Sequence, residues 1–466
     1  MSLVAERTIP GRVAALRATF DSGRTRPIDW RKAQLKGFRR LLTEGEAELA
    51  AAMGSDLGKA PAEAWMTETR FVDREVGYTL SHLHGWMSPE HVHVPVVLQP
   101  GRAKVVPEPL GVALVIAPWN YPVQLLVLPM ASAVAAGNCV VGKPSELAPA
   151  TSETIARLVP KYLDTDAVAI VEGGAEAATE LLAQRFDHIL YTGSARVGRI
   201  VLEAAIPNLT PVTLELGGKC PAIVDKDAAL GVVARRLAYG KWLNAGQTCV
   251  APDYVLVHED MEQALVAKLT ELLHDFYGDD PKASPDYGRI VSDAHFARLT
   301  GLLQAGGFAE TVTGGLATAD PATRYLAPTI VRRVATDAAL MGEEIFGPIL
   351  PIIPVASMDE AVAFVNARPK PLALYVFTSH GSVADDILDR TSSGSACVNT
   401  CTVQLAVPGL PFGGVGASGS GAYHGRTGFD TFSHRKAVLS KPALPEPPLQ
   451  YPPYTNTRQG VLRKIY

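Results

Sequence analysis

Cysteine is scarce in this chain. Five residues, Cys139, Cys220, Cys249, Cys397 and Cys401, are scattered over 466 positions. An odd count without paired spacings excludes a disulfide framework and points to a reducing, cytoplasmic setting. Net charge is small as well: 43 Lys and Arg against 47 Asp and Glu leave a formal -4. So weak a field cannot steer nucleic acid, and no nucleic-acid partner is expected. A secretory leader is lacking, because MSLVAERTIPGRVAALRATF places Arg and Glu where an apolar core would be needed. Long apolar runs are nearly absent. The segment 109–142 carries no charge and is long enough for a membrane span. Pro118, Asn120, Pro122, Pro129 and Asn138 interrupt it, however, and its first part, GVALVIAP, reads as a buried strand. The tail, KPALPEPPLQYPPYTNTRQGVLRKIY, is too polar for a membrane anchor and is expected to lie extended on another surface.

What is present is ordinary soluble globular material, 47% hydrophobic and 19% charged, in an amount that suits two or three domains. Residues 12–86 carry apolar side chains at three- and four-residue intervals. One helix is expected from Trp30 to Gly58 and a second from Glu63 to Trp86. HVHVPVVLQPGRAKVVP, from His91 to Pro107, reads as two strands joined around QPGR. The pairs His82 with His84 and His91 with His93 find no third and fourth ligand, so no metal is expected. From Leu110 a βα rhythm sets in, with strands near 111–117, 139–142, 167–171 and 187–191. Helices begin near Pro122, Pro149, Ala175 and Ala195. This is the pattern of a parallel sheet covered on both faces, with its ligand site at the carboxyl-end loops. A second αβ series includes strands at Tyr254–Val257 and Leu350–Val355, each followed by a helix.

The stretch 212–253 delivers two reactive side chains to chain reversals. Glu215 closes the alternating run TLEL, and Cys249 follows Gly246, Gln247 and Thr248 beyond a helix. A free cysteine can be a small buried hydrophobe or, with its proton removed, the strongest ordinary nucleophile. Glu215 can likewise be a strand carboxylate paired to a lysine. Sequence spacing does not establish that the two meet.

LELGGK at 214–219 and GQTC at 246–249 resemble, in order and separation, two signature segments of the NAD(P)-dependent aldehyde dehydrogenase superfamily. The resemblance covers nearly the whole chain. It implies an α/β fold with a Rossmann-like cofactor domain (1–85 and 108–216) and an α/β catalytic domain (217–415). Residues 86–107 and 416–466 would supply a small β oligomerisation element and the tail. It also implies that Cys249 attacks an aldehyde and that Glu215 is the general base for hydrolysis of the thioester. Asn120, in APWNYP at 117–122, would donate to the oxyanion together with the Cys249 backbone N–H. The implied cofactor contacts are Trp119 in the same motif, Lys143 and Glu146 of KPSE on the adenosine ribose, and Gly193, Ser194 and Gly198 of YTGSARVG near the pyrophosphate. Leu216 joins them, with Glu344 of EEIFGPIL on the nicotinamide ribose and Phe346 beside the ring. Glu146 would repel a 2'-phosphate, which tilts the preference to NAD with NADP as the alternative. The literal GxGxxG at Gly414–Gly419 has no strand before it and is rejected as a nucleotide site.

QRFDHILYTGS, CVAPDYVLVHED, GAYHGRTGFDTFSH and YPPY resemble the class 3 branch, including bacterial coniferyl-aldehyde-dehydrogenase-like members. That branch implies a homodimer and medium-chain aliphatic or aromatic aldehydes as substrates, with Trp65 a candidate for the substrate tunnel. A CoA-acylating dehydrogenase and a non-catalytic structural protein on the same fold are the rival readings. The first generally lacks a base at the Glu215 position, and the second would be expected to lose Cys249, Glu215 or Asn120.

Overall fold

The runs of β-branched residues that alternate with helical segments become the strands of two parallel sheets. In the computed structural model, which describes residues 8–444, 448 and 451–465, the first sheet has six strands. Their order is Gly419–Ser420, Val212–Glu215, His188–Thr192, Val112–Ile116, Cys139–Lys143 and Val168–Ile170, and only the Gly419–Ser420 pairing is antiparallel. The chain leaves Val112–Ile116 toward one edge, then returns to lay His188–Thr192 on its other side. That reversal opens a crevice beyond the carboxyl ends of these two strands, the place where open α/β sheets bind ligands. APWN and Gly193 both follow the strands that flank it. The helices Gln124–Ala136, Pro149–Tyr162, Ala175–Leu182 and Ala195–Ala205 lie where the rhythm predicts. Every residue of Gln124–Ala136 is buried, so the middle of the uncharged run is a core helix between two strands. Among the described residues no helix is long and apolar enough to cross a membrane.

The second sheet has seven strands, ordered Phe308–Thr313, Thr329–Val334, Ile349–Val355, Tyr254–His258, Pro221–Val224, Ala373–Phe377 and Ser395–Val398. All its pairings except the first are parallel. A third, antiparallel sheet joins Glu90–Val92 and Ser433–Ser440 to either side of Arg102–Pro109.

Four expectations need correction. The helix predicted from Trp30 to Gly58 is two helices, Ile28–Glu44 and Glu46–Leu57. Gly45 breaks it where the backbone presses on Leu158, whose Cδ1 would lie 2.8 Å from an added Cβ. The helix predicted over 63–86 is interrupted by a π-helical turn, Trp65–Thr69, between Pro61–Ala64 and Arg70–Met87. Its predicted strand neighbour is short: Glu90–Val92 stops before Pro95, and Val96–Leu98 turns into a 3-10 helix, because proline cannot donate to a ladder. The tail predicted to be extended carries a helix, Asn456–Ile465. Residues 445–447 and 449–450 of its proline-rich part, and residues 1–7 of the segment judged not to be a leader, lie outside the described residues.

Candidate active site

The helix Leu230–Trp242 aims the chain at the crevice, and Trp242 Nε1 anchors its end by donating to Pro348 O at 2.9 Å. Asn244, Ala245 and Gly246 then take φ values of 52, 51 and 75°, three left-handed residues in succession. For Asn and Ala this costs energy, so surrounding bonds must hold it. Asn244 Nδ2 donates to Asn120 O at 2.9 Å, Gln247 Nε2 donates to Arg289 O at 2.9 Å, and Gln247 Oε1 accepts from Val291 N at 3.0 Å. At Gly246 a Cβ would fall 2.2 Å from Gly347 O, so only glycine fits. The reversal leaves Cys249 in the walls of two cavities, of about 470 and about 530 Å3.

The larger cavity occupies the crevice of the first sheet and gathers most of the predicted site. Trp119, Asn120, Gly193, Ser194, Glu215, Leu216, Glu344 and Phe346 line it with Cys249. Asn120 is buried and donates one amide hydrogen to Gln247 O at 3.1 Å, which leaves its second hydrogen for an oxygen in the cavity. Glu215 is 2% exposed, and neither carboxyl oxygen has a hydrogen-bond partner. Burial therefore holds its pKa well above the ordinary carboxylate range. The Cys249 thiol is pushed up by burial first, then by Glu344 and Glu215. Glu344 is raised to about 8, by burial and then by Asp253. All three groups are therefore neutral or nearly so at rest.

The wall around Glu344 is built to tight tolerance. Lys219 Nζ donates to Leu340 O at 2.7 Å and Glu343 O at 2.9 Å and pairs with Asp253, whose other oxygen accepts from Ile345 N at 2.9 Å. Gly217 permits the close approach of the Glu344 carboxyl, which would lie 1.9 Å from an added Cβ. Phe346, at φ 49°, meets Trp119 edge-on with ring centres 5.4 Å apart.

Three predicted contacts lie elsewhere. Lys143 is buried at the carboxyl end of the neighbouring strand Cys139–Lys143, with Nζ donating to Pro144 O at 2.9 Å and to Glu146 Oε2 at 3.1 Å. Neither Lys143 nor Glu146 lines the cavity. Gly198 faces the sheet, where a Cβ would lie 3.1 Å from Leu216 Cδ2, so it allows the helix Ala195–Ala205 to pack closely. The lining residues that were missed include His295 and Arg298 from the helix Asp293–Ala305. His295 stands 5.0 Å from the Trp119 ring with Nδ1 unpartnered, and burial followed by Arg298 lowers its pKa. Arg298 donates to Ile345 O at 2.6 Å and Glu343 Oε1 at 3.0 Å, fixing the loop that carries Glu344. Nothing in the helical pattern marked either residue.

The second cavity is mostly apolar. Phe71, Tyr121, Leu125, Leu243 and Phe412 line it, together with Trp65, which is 46% exposed. Leu125 and Phe412 belong to both cavities, so the sulfur sits at their junction.

The larger cavity suits the nicotinamide and pyrophosphate portion of a dinucleotide. Gly193 and Ser194 stand at the N-terminus of an eleven-residue helix, which favours phosphate. Glu344 and Phe346 stand near the sulfur, and the orphaned Glu215 carboxyl faces the same space. Residues 3–438 match the model of the aldehyde dehydrogenase family. The chain belongs to the aldehyde dehydrogenase family. This aldehyde dehydrogenase oxidises an aldehyde to a carboxylic acid with NAD or NADP. It is 48% identical to aldehyde dehydrogenase family 3 member A2 of Mus musculus over 448 residues, 96% of this chain and 92% of that one. It is 46% identical to the dimeric NADP-preferring aldehyde dehydrogenase of Canis lupus familiaris, over 95% of this chain and 97% of that one. The substrate-bound state of Staphylococcus aureus AldH superposes with a TM-score of 0.95 at 41% identity, covering 100% of each chain. The class 3 resemblance and the expected fold are thereby confirmed.

Proposed function

We propose that Cys249 is the nucleophile of this aldehyde dehydrogenase, Asn120 the side-chain oxyanion donor and Glu215 the general base. The observation that carries the reading is the placement of the Cys249 sulfur at the junction of an apolar cavity and the one that opens beyond the strands of the first sheet, with the unpartnered Glu215 carboxyl lining the latter. The aldehyde enters through the apolar cavity. Once the thiol proton has passed through the ionised form of the Glu215 carboxyl to solvent, the sulfur adds to its carbonyl carbon, and the developing oxyanion takes hydrogen bonds from Asn120 Nδ2 and the Cys249 backbone N–H. When bound, NAD(P) is the oxidant that takes up the hydride lost by this adduct. Glu215 then removes a proton from the water that hydrolyses the thioester, a task suited to a carboxyl whose pKa burial has raised. Its presence speaks against the CoA-acylating alternative.

The aromatic and aliphatic walls of the smaller cavity, with Trp65 among them, favour medium-chain aliphatic or aromatic aldehydes. Glu146 on the loop after Cys139–Lys143 favours NAD, while the canine relative's stated NADP preference keeps NADP in play. A cytoplasmic homodimer is the proposed state. The third sheet supports the dimer, because it leaves edge strands with exposed Val92 and Leu439, and the canine relative is described as dimeric. The proposed division is 1–85 with 108–216 for the cofactor and 217–415 for catalysis, leaving 86–107 and 416–466 for assembly.

The test is a panel of aldehydes with NAD or NADP, with and without CoA, read by absorbance of the reduced cofactor and by product analysis. Acid formation independent of CoA is expected. A CoA thioester as the sole product would sink the assignment of Glu215.

A further inference from the structure

Lys59 and Glu68 are both fully buried, with Lys59 Nζ 2.7 Å from Glu68 Oε1. Removing two charges from water is expensive, and an apolar pair of equal volume would serve stability as well or better. The pair therefore needs another reason, and its hydrogen bonds supply one. Lys59 Nζ also donates to Asn120 O at 3.2 Å and lies 4.2 Å from the centre of the Tyr121 ring. Glu68 Oε2 accepts from Val123 N at 2.9 Å and Gln124 N at 2.8 Å, at the start of the helix Gln124–Ala136, where the helix dipole favours an anion. The two charges thus clamp the segment Asn120–Gln124 from both ends.

The same segment is tied to the loop that carries Cys249. Asn244 Nδ2 donates to the carbonyl that Lys59 also holds, and Tyr121 Oη lies 2.7 Å from Thr248 Oγ1. Glu68 reaches the clamp from the π-helical turn Trp65–Thr69, an interruption of the kind that concentrates at functional sites. Neither Lys59 nor Glu68 lines either cavity.

We infer that the Lys59–Glu68 ion pair is a positioning device for the first chemical step. It holds the Asn120 amide where an aldehyde oxygen develops charge over Cys249, and it does so without touching substrate or cofactor. The inference rests on the role proposed for Asn120.

The test uses the full chain with Lys59→Met/Glu68→Leu, Asn120→Ala and all three substitutions combined. Three quantities are read for each: the pre-steady-state rate of reduced-cofactor formation, the Kd for NAD by fluorescence, and Tm. The pair variant should lower the burst rate about 100-fold, the scale of a small misplacement of a reacting group, with Kd unchanged. Adding Asn120→Ala to it should cost little more, because residues acting through one amide are not additive. Lys59→Arg, which keeps the cation, should retain most of the rate. An unchanged burst, or losses that multiply, overturns the inference. Should the double variant not fold, Glu68→Gln, which is isosteric and uncharged, is judged by the same readouts and the same outcomes. If Asn120→Ala alone leaves the burst intact, the role of Asn120 falls and the inference with it. If Asn120→Ala abolishes the burst while the pair variants keep it, only the inference falls.

Discussion

Glu215 and Cys249 are both held in their protonated forms by burial, and this shapes what their substitution should do. Replacing Cys249 by Ala removes the sulfur from both cavities without disturbing the loop around Trp119 or Glu344. Turnover of any aldehyde should fall about 10^4-fold or more while NAD still binds, checked by steady-state assay and cofactor titration. Full turnover in this variant would rule the thiol out as the nucleophile. Glu215→Gln fills the same volume but cannot accept the proton of water. The expected result is one rapid equivalent of reduced cofactor followed by a steady rate lowered about 10^2- to 10^4-fold, the usual contribution of general base catalysis. A normal steady rate would remove Glu215 from the hydrolytic step. In the unaltered enzyme the same step should speed up as pH rises through the elevated Glu215 titration.

The elements that bring these residues together were legible where the signal is local. Runs such as GVALVIAP and HILYT are β-branched or aromatic, flanked by turns, and became strands of the first sheet. The reversal at Gly246–Cys249 was legible as a motif, although its three left-handed residues were not. They depend on Asn120 and Arg289, distant in sequence. Long-range packing explains the misses as well. The break falls at Gly45, which lies against Leu158, and the strand Arg102–Pro109 pairs along its length with Ser433–Ser440, more than three hundred positions away. His295 and Arg298 enter the site only because the helix Asp293–Ala305 presents that face to Trp119 and to the 343–346 loop. Gly246 tests how firmly the reversal is set. Gly246→Ala would force a Cβ into a strained φ against Gly347 O, so the loop must shift. Activity should fall about 100-fold, as for a misplaced reacting group, and Tm should drop by several degrees. Calorimetry and a burst assay check both, and a variant with parental Tm and burst would show that the loop has slack.

At the scale of the whole molecule, the buried ionisable groups outside the chemistry make stability depend on pH, with a sign that can be worked out. Glu63 and Glu75 are raised to about 7, burial being the main cause in each. Between the unfolded carboxylate range and that value the folded chain holds protons that the unfolded chain has released. Each group therefore stabilises below the unfolded pKa and loses its contribution as pH rises through about 7. Burial lowers His188 and His424 to about 4, which acts in the opposite direction, adding stability as pH rises from about 4 toward the ordinary histidine value. The two sets offset one another in the acid range. Above about pH 6.5 the histidine contribution is complete, and the carboxyls alone govern the slope. Lys241, lowered to about 8 by burial, begins to add stability only above that pH. The cofactor-free enzyme should therefore lose Tm between about pH 6.5 and 8. Glu63→Gln and Glu75→Gln, which stay neutral throughout, should each flatten that decline, by about 0.8 kcal/mol, the part falling above pH 6.5 of the linkage from 4.5 to about 7. Calorimetric scans at half-unit pH steps measure it directly. A Tm that holds level or rises across this window in the parent, or falls equally steeply in both variants, would mean that these carboxyls ionise in the folded enzyme as freely as in the unfolded chain.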